Sequence, residues 1–122
     1  MSIRLRLVDA HEIVRSGLKA FLGAFPDLEV VGEAGSGEAA LEAVAACQPG
    51  VVVMDISMAG MDGMEATRRL HAASPATAVL ALTVHSSKEF LFAMLNAGAS
   101  GYVTKQAATE ELVAAIRAVA RG

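Results

Sequence analysis

The sequence predicts a doubly wound α/β domain, with a five-stranded parallel sheet of order 2-1-3-4-5 and helices on both faces. Three observations predict it. Short strand-like segments alternate with segments of helical spacing along the whole chain. The apolar run Val51 to Met54 leads directly into Asp55, as in a strand buried on both faces. Two further predicted strands also lead into a polar residue, Asp9 and Thr83.

The first two strands and helices are predicted from changes between the alternating pattern of a strand and the spacing of a helix. Ile3 to Val8 alternates apolar and basic residues, as a strand does. From His11 the apolar residues take helical spacing, and Pro26 ends this first helix. Leu28 to Ala34 is the second strand. A Gly-Ser-Gly turn then leads into a short helix, which ends before Pro49 and the third strand.

The third helix and the fourth strand continue the alternation. The helix spans Met64 to Ala73, and the strand spans Val79 to Thr83. Ser86 and Glu89 have the spacing of a capping box, in which each side chain accepts a hydrogen bond from the other residue's backbone. They predict a fourth helix that runs to about Ala97.

The last units are a short strand and a well-capped helix. Gly98 ends the fourth helix, and Gly101 to Val103 is the fifth strand. Thr109 is a suitable N-cap for the last helix, whose first turn is acidic and therefore favourably placed in the helix dipole. Five strands alternating with five helices predict right-handed crossovers and a flavodoxin-like (βα)5 fold.

Composition restricts the class of protein. The 122 residues are enough for one domain with its own core, and 54% hydrophobic residues indicate a globular chain. A net charge of −3 argues against direct nucleic-acid binding, and no basic amphipathic segment indicates a membrane surface. Cys47 is the single cysteine, so no internal disulfide can form. With no apolar run of about 20 residues, we expect a soluble, cytoplasmic domain.

Four side chains with related chemistry are predicted at one edge of the sheet. Strands 1, 3, 4 and 5 bring Asp9, Asp55, Thr83 and Lys105 to their carboxyl ends. A carboxylate can act as a nucleophile, while a hydroxyl and an ammonium bind phosphoryl oxygens. A second carboxylate commonly helps to hold Mg²⁺. The set therefore favours phosphoryl transfer.

The chain closely resembles the receiver domains of response regulators, in the NarL/FixJ (LuxR-type) branch. Four segments carry the resemblance, which covers essentially the whole chain: VVVMDISMAGMDG, LALTVHSS, AGASGYVTK and ELVAAIRAVARG. The resemblance implies that Asp55 accepts a phosphoryl group from a histidine kinase. It implies that Thr83 is the switch hydroxyl, Tyr102 the switch aromatic residue and Lys105 the cation that binds the phosphoryl group.

The resemblance also implies a metal and further assembly. Mg²⁺ is expected at Asp9, Asp55 and the backbone carbonyl of Ser57. We expect residues 1–122 to form the receiver domain, and a helix-turn-helix output domain to follow Gly122 in a longer protein. DNA would be bound only through that output domain, and homodimers are expected.

Two departures from the family pattern fall in this site. Receivers of this branch usually read V-D-D-H after strand 1, whereas this chain reads V-D-A-H, with Ala10 in place of the acid that ligates Mg²⁺ directly. A proline is usual four residues after the acceptor, and here Ala59 occupies that position. Because Mg²⁺ affinity depends on the charge of the ligands, Ala10 predicts weak binding. Glu12 and His11 are interpreted as ordinary residues at the start of the first helix, rather than as replacement ligands.

These residues leave three functions open. The first is a receiver that is phosphorylated and signals to an output domain. The second is a degenerate receiver that acts as an interaction or dimerisation module without phosphorylation, which Ala10 and Ala59 favour. The third is a flavin enzyme of the same fold, which is disfavoured because no phosphate-cradling loop follows strand 1.

Overall fold

The computed structural model of the chain describes residues 2–46, 50–55, 63–83, 88–104 and 109–121. Strands and helices alternate throughout these residues. In chain order they are β1 (Ile3–Val8), α1 (Glu12–Leu22), β2 (Leu28–Ala34), α2 (Gly37–Ala46), β3 (Val51–Asp55), α3 (Gly63–Ala73), β4 (Ala78–Thr83), α4 (Lys88–Ala97), β5 (Gly101–Thr104) and α5 (Thr109–Arg121). No helix in these ranges is both long and apolar enough to cross a membrane.

The five strands form one parallel sheet in the order β2-β1-β3-β4-β5. This order confirms the predicted fold class. The central strand β3 is buried along its full length, as its apolar sequence predicts. Val8 of β1 pairs with Met54 of β3, so the residues that follow each of them, Asp9 and Asp55, lie at the same edge of the sheet.

The two faces of the sheet are covered by different helices. On one face, α1 and α5 contribute Leu22, Leu112 and Ile116 to a core with alternate residues of β1, β3 and β4. On the other face, α2, α3 and α4 contribute Ala40, Leu70 and Met94 to a second core. Both faces of β3 are therefore shielded from water, and its carboxyl end opens between the two helix layers.

The edge strand β2 contains an irregularity that the hydrophobic pattern did not predict. Leu5 pairs with Val30, but the next residue, Arg6, pairs with Gly32, so Val31 is an extra residue in the ladder. The guanidinium of Arg6 lies directly over Gly32, where a Cβ atom would collide with it. Glycine at this position thus provides the space for a long basic side chain on a half-buried face.

Element boundaries differ from the predictions by one or two residues, except for the end of α1. The first helix ends at Leu22, well before Pro26. The residues between them form a turn with backbone hydrogen bonds of its own. Ser36 caps α2, since its Oγ accepts a hydrogen bond from the backbone N–H of Ala39 at 3.1 Å. Ser86 of the predicted capping box lies outside the described residues.

Candidate functional site

Three of the predicted site residues lie at the carboxyl edge of the sheet. Asp9 follows β1, Asp55 ends β3 and Thr83 ends β4. Their exposed fractions are 2%, 1% and 0%, so the site places two carboxylates and a hydroxyl away from bulk water. Because charged groups are rarely buried unless a partner offsets the cost, this burial marks the edge as a functional site.

The backbone at Asp9 is held from two sides. Its N–H donates to the carbonyl oxygen of Ala34 in β2 at 3.1 Å. Its carbonyl oxygen accepts a hydrogen bond from Nη1 of Arg15, whose Nε donates to Glu33 Oε1 at 3.1 Å. Arg15 thereby connects α1 to the ends of both β1 and β2. This arrangement fixes the position of Asp9 relative to the sheet.

The side chain of Asp9 also organises the start of α1. Its Oδ1 accepts a hydrogen bond from the backbone N–H of His11 at 2.8 Å, and the His11 ring Nδ1 lies 3.0 Å from the same oxygen. His11 occupies the N-cap position, as interpreted from the sequence, but its own side chain does not cap the helix. Its ring lies instead against the carboxylate of Asp9.

His11 is the residue of the site that the sequence interpretation missed. One donor atom from each of Asp9, His11 and Asp55 lies within 4.8 Å of the others. The signal for this was its spacing, two residues after a strand-ending acid, which allows a turn to bring the ring back. Glu12 is exposed in the first turn of α1, as the sequence predicts.

The donor set is suited to a divalent cation. Two carboxylates provide the hard oxygen ligands that Mg²⁺ takes in proteins. Ala10 is exposed and contributes no oxygen, so a third carboxylate is absent from the position where the resemblance expects one. The third donor among the described residues is an imidazole nitrogen, a ligand more typical of transition metals than of Mg²⁺.

The other predicted site residues are placed differently or are not described. Lys105 and Ser57, together with Ala59, lie outside the described residues. Tyr102 is on β5, separated from β3 by β4, and 42% of its surface is exposed. It therefore lies at the outer part of the sheet rather than against Asp55.

A cavity of about 520 Å³ opens at the opposite, amino edge of the sheet. Its lining includes Arg4, Asp27, Gly50 and Arg117, residues at the beginnings of strands or on α5. The length of the strands separates this cavity from Asp55. We assign it no part in the chemistry of the carboxyl edge, where the buried carboxylates of Asp9 and Asp55 lie.

Comparison with known proteins agrees with this geometry. Residues 5–117 match the family model of the response regulator receiver domain. Among curated relatives, the response regulator GacA of Pseudomonas viridiflava is 44% identical over 120 residues, which are 98% of this chain and 56% of that protein. The chain thus spans about half the length of the curated relatives that it matches.

Solved structures give the same result. A two-component response regulator of the LuxR family from Aurantimonas sp. SI85-9A1 superposes with a TM-score of 0.95 at 38% identity, over 100% of this chain and 87% of that one. The signal receiver domain of the putative response regulator NarL from Mycobacterium tuberculosis superposes with a TM-score of 0.93 at 32% identity. That superposition covers 99% of this chain and 98% of the other.

Proposed function

This chain belongs to the response regulator receiver family, in its NarL/FixJ (LuxR-type) branch, and from that premise we propose that Asp55 accepts a phosphoryl group from a histidine kinase. The observation that carries the proposal is the position of Asp55. It is a carboxylate with 1% exposure at the end of the central strand, beside a second buried acid, Asp9. In this role the domain is a signalling module rather than a metabolic enzyme.

The proposed step is a transfer between two nucleophiles. An Asp55 oxygen forms a bond to phosphorus while the bond from phosphorus to the kinase imidazole breaks, and the released imidazole takes up a proton. Burial of Asp55 restricts the access of water to the aspartyl phosphate that results. The helices that cover both faces of β3 provide this shielding from water.

The neighbouring side chains have supporting roles in the proposal. The hydroxyl of Thr83, at the end of the adjacent strand, donates a hydrogen bond to a phosphoryl oxygen. Lys105 provides a positive charge for the same oxygens. Tyr102 changes its environment when Thr83 moves toward the phosphoryl group, which transmits the change to the outer surface of the sheet.

Mg²⁺ is the expected cofactor of this chemistry, and we propose that it binds weakly. Asp9, Asp55 and the backbone carbonyl of Ser57 are the proposed ligands. Bound Mg²⁺ neutralises the charge that develops on the transferred oxygens. Because Ala10 supplies no carboxylate, the site has one anionic ligand fewer than the usual pattern of the branch. Slow phosphorylation follows from this deficit.

The wider assembly is also part of the proposal. Phosphorylation would control a helix-turn-helix output domain that follows this chain in a longer protein, and DNA would be contacted only through it. Exposed apolar side chains on α4 and β5 support a homodimer: Phe92, Leu95 and Tyr102 are exposed by 63%, 43% and 42%. A cytoplasmic location is proposed from the sequence, in which no apolar run reaches membrane-spanning length.

Ala10 supports a second candidate function. A receiver that holds Mg²⁺ too weakly to be phosphorylated could act as an interaction module whose surface is permanently in one state. The two candidates share the fold and the buried pair Asp9 and Asp55. They differ in whether Asp55 ever carries a phosphoryl group.

Intact-mass spectrometry after incubation with a small acyl phosphate tests the proposal. We expect a gain of the mass of one phosphoryl group that requires Mg²⁺ and is slow. The control is Asp55→Asn, which should show no gain, because an amide cannot form the acyl phosphate. A wild-type chain that gains no mass at saturating Mg²⁺ supports the degenerate receiver, and a gain that persists in Asp55→Asn shows that another residue is the acceptor.

A further inference from the structure

We propose that the carboxyl-edge site binds late first-row divalent cations, of the Ni²⁺ and Zn²⁺ class, in preference to Mg²⁺, with the His11 imidazole as a direct ligand beside Asp9 and Asp55. The inference rests on the proposed receiver function only in that it concerns the same site. It assigns to His11 a role that the sequence pattern does not give it.

The distances between the donor atoms carry the inference. Nδ1 of His11 lies 3.0 Å from Oδ1 of Asp9. Two donors at right angles on one ion, each with a bond of about 2.1 Å, are about 3.0 Å apart. A hydrogen bond now joins the atoms of His11 and Asp9, and the distance between them is the distance that two ligands of one metal ion would have. A metal could replace the proton of this hydrogen bond with little movement of either side chain.

The third donor completes a compact set. Donors on opposite sides of such an ion are about 4.2 Å apart. Because the donor atoms of Asp9, His11 and Asp55 all lie within 4.8 Å of one another, they need to shift by only a fraction of an ångström to share one ion. Asp9 is held on the sheet by its backbone contacts to Ala34 and Arg15, so the set is largely formed before a metal arrives.

Burial favours a cation at this point. Asp9 and Asp55 are both almost fully buried, and two neighbouring carboxylates repel each other in a region where water screens them poorly. A divalent ion reduces this repulsion. The ring of His11 is 70% exposed and can therefore close the site from the solvent side without desolvating a further charge.

The chemistry of the ligands decides which cation is preferred. Mg²⁺ requires oxygen ligands and near-ideal octahedral geometry, and it gains little from an imidazole. Nitrogen ligands suit Ni²⁺, Cu²⁺ and Zn²⁺, for which affinities also rise along the first-row series. Ala10 has removed an oxygen ligand, and His11 offers a nitrogen. Compared with the usual pattern of the branch, the ligands of this site therefore suit Mg²⁺ less well and a transition metal better.

Calorimetric titration of the whole chain with Ni²⁺ and with Mg²⁺, in the absence of any phosphodonor, tests the inference. We expect wild type to bind Ni²⁺ at least tenfold more tightly than Mg²⁺. His11→Asn retains a hydrogen-bond donor near the position of Nδ1 but is a much poorer ligand. It should weaken Ni²⁺ binding about tenfold or more and change Mg²⁺ affinity by a much smaller factor.

A matched variant controls for binding to imidazoles elsewhere. His71 is an exposed histidine on α3, and His71→Asn should leave Ni²⁺ affinity unaltered. Ni²⁺ is paramagnetic, so in NMR spectra it should broaden the backbone resonances of Asp9, Ala10 and Asp55 first. Circular dichroism of each variant establishes that the fold is kept.

Three results would overturn the inference: equal affinity of wild type for the two ions, unchanged Ni²⁺ affinity in a folded His11→Asn, or an equal loss in His71→Asn. Failure of the proposed phosphorylation is detected separately. It appears as a missing mass gain with Mg²⁺ and an acyl phosphate, whereas these titrations contain neither a phosphoryl group nor a kinase.

Discussion

Ala10 is exposed at the rim of the site and stands between Asp9 and His11 in the chain. An aspartate here would place a third carboxylate next to two existing ones without displacing a packed side chain. For Ala10→Asp we expect Mg²⁺ affinity to rise about tenfold or more, since one charged ligand contributes at least about 1.4 kcal/mol. Calorimetric titration with Mg²⁺ measures this change.

Ala10→Asn is the matched variant for this test, because it has nearly the same shape and no charge. It should give a much smaller gain. Equal Mg²⁺ affinity of wild type and Ala10→Asp would mean that the site already holds its full set of oxygen ligands, and the interpretation of Ala10 as the weakness of the site would be wrong.

Gly98, directly after α4, has a backbone conformation that demands glycine. Its φ of 112° lies in the region that side chains disfavour, and a Cβ atom would be 2.6 Å from Cβ and Cγ of His71 on α3. We expect Gly98→Ala to lower the free energy of unfolding by about 1–3 kcal/mol. Urea denaturation measures the loss.

Gly17 is a control position at which the same substitution should change the free energy of unfolding in the opposite direction. It lies inside α1, and a Cβ atom there would meet no other atom within 4 Å. Gly17→Ala should therefore raise the free energy of unfolding by up to about 1 kcal/mol, because alanine has the higher helix propensity. A similar loss in both variants would refute the explanation by conformation at Gly98.

The sequence was sufficient to place Asp9, Asp55 and Thr83 but not the ring of His11. Strand-ending residues are positioned by the sheet, so a correct strand order brings them together. The contact of His11 depends on the turn after Asp9 and on the clamp by Arg15, and neither leaves a hydrophobic pattern. The positions of side chains that depend on loop geometry therefore cannot be predicted from the hydrophobic pattern.

At the scale of elements, α5 is tied to the turn before β2 by an ion pair. Arg117 donates two hydrogen bonds to the carboxylate of Asp27, at 2.9 and 3.0 Å, and its guanidinium lies 5.6 Å from the centre of the Phe25 ring. The hydrogen bond from Arg117 is the main cause that lowers the pKa of Asp27 below its usual value. The pair joins elements from opposite ends of the chain.

This ion pair predicts an acid-dependent contribution to stability. Because the pKa of Asp27 is lower in the folded chain, its contribution is present above the unfolded-state pKa and is lost as pH falls through the folded-state pKa. Asp27→Asn should be less stable than wild type at neutral pH, and the two should converge in acid. Urea denaturation at low salt, from about pH 7 down to about pH 2, measures both limits.

Glu65→Gln is the matched control, since Glu65 also has a lowered pKa, caused chiefly by the hydrogen bond from Arg69 within the same helix. The stability difference between Glu65→Gln and wild type should also disappear in acid. Hydrogen exchange of the α5 backbone amides should be the same in both. A stability difference between Asp27→Asn and wild type that is constant over the whole pH range would contradict the assigned cause.

The order of the elements was predictable because strongly periodic segments determine it. Strand β3 shows why: its apolar run Val51 to Met54 predicts a strand buried on both faces, which excludes the edge of the sheet. The bulge at Val31 was not predictable, because no change of hydrophobic period marks an extra residue within Leu28–Ala34. Helical spacing predicts Leu95 on the core side of α4 together with Leu91 and Met94. Leu95 is nevertheless 43% exposed, and Met94 and Leu91 fill that side.

At the scale of the whole molecule, exposed apolar side chains on α4 and β5 and others on α1 are the two candidate surfaces for the proposed self-association. Phe92 and Leu95 on α4 and Tyr102 on β5 are exposed, and Ile13 on α1 has an exposed fraction of 85%. We expect Phe92→Glu to weaken self-association and to leave the fold intact, because it places a charge where apolar area would be buried. Sedimentation velocity at matched concentrations measures the effect.

Ile13→Glu is the corresponding variant on α1, and it should leave the oligomeric state unchanged. If Ile13→Glu separates the copies and Phe92→Glu does not, the interface is on α1. If neither variant changes the sedimentation of an associated wild type, both apolar surfaces are excluded as its interface.

Asp9 and Asp55 come from strands that are separated in the chain by α1, β2 and α2, and they become neighbours only when β1 and β3 pair. An unfolded chain therefore has no preformed ion site. Any cation that binds there binds the native state alone and stabilises it by mass action, by about 2.7 kcal/mol at a concentration of 100 Kd. The thermal midpoint of the domain thus becomes a measure of occupancy, and the ion content of its surroundings helps to set how long each copy stays folded.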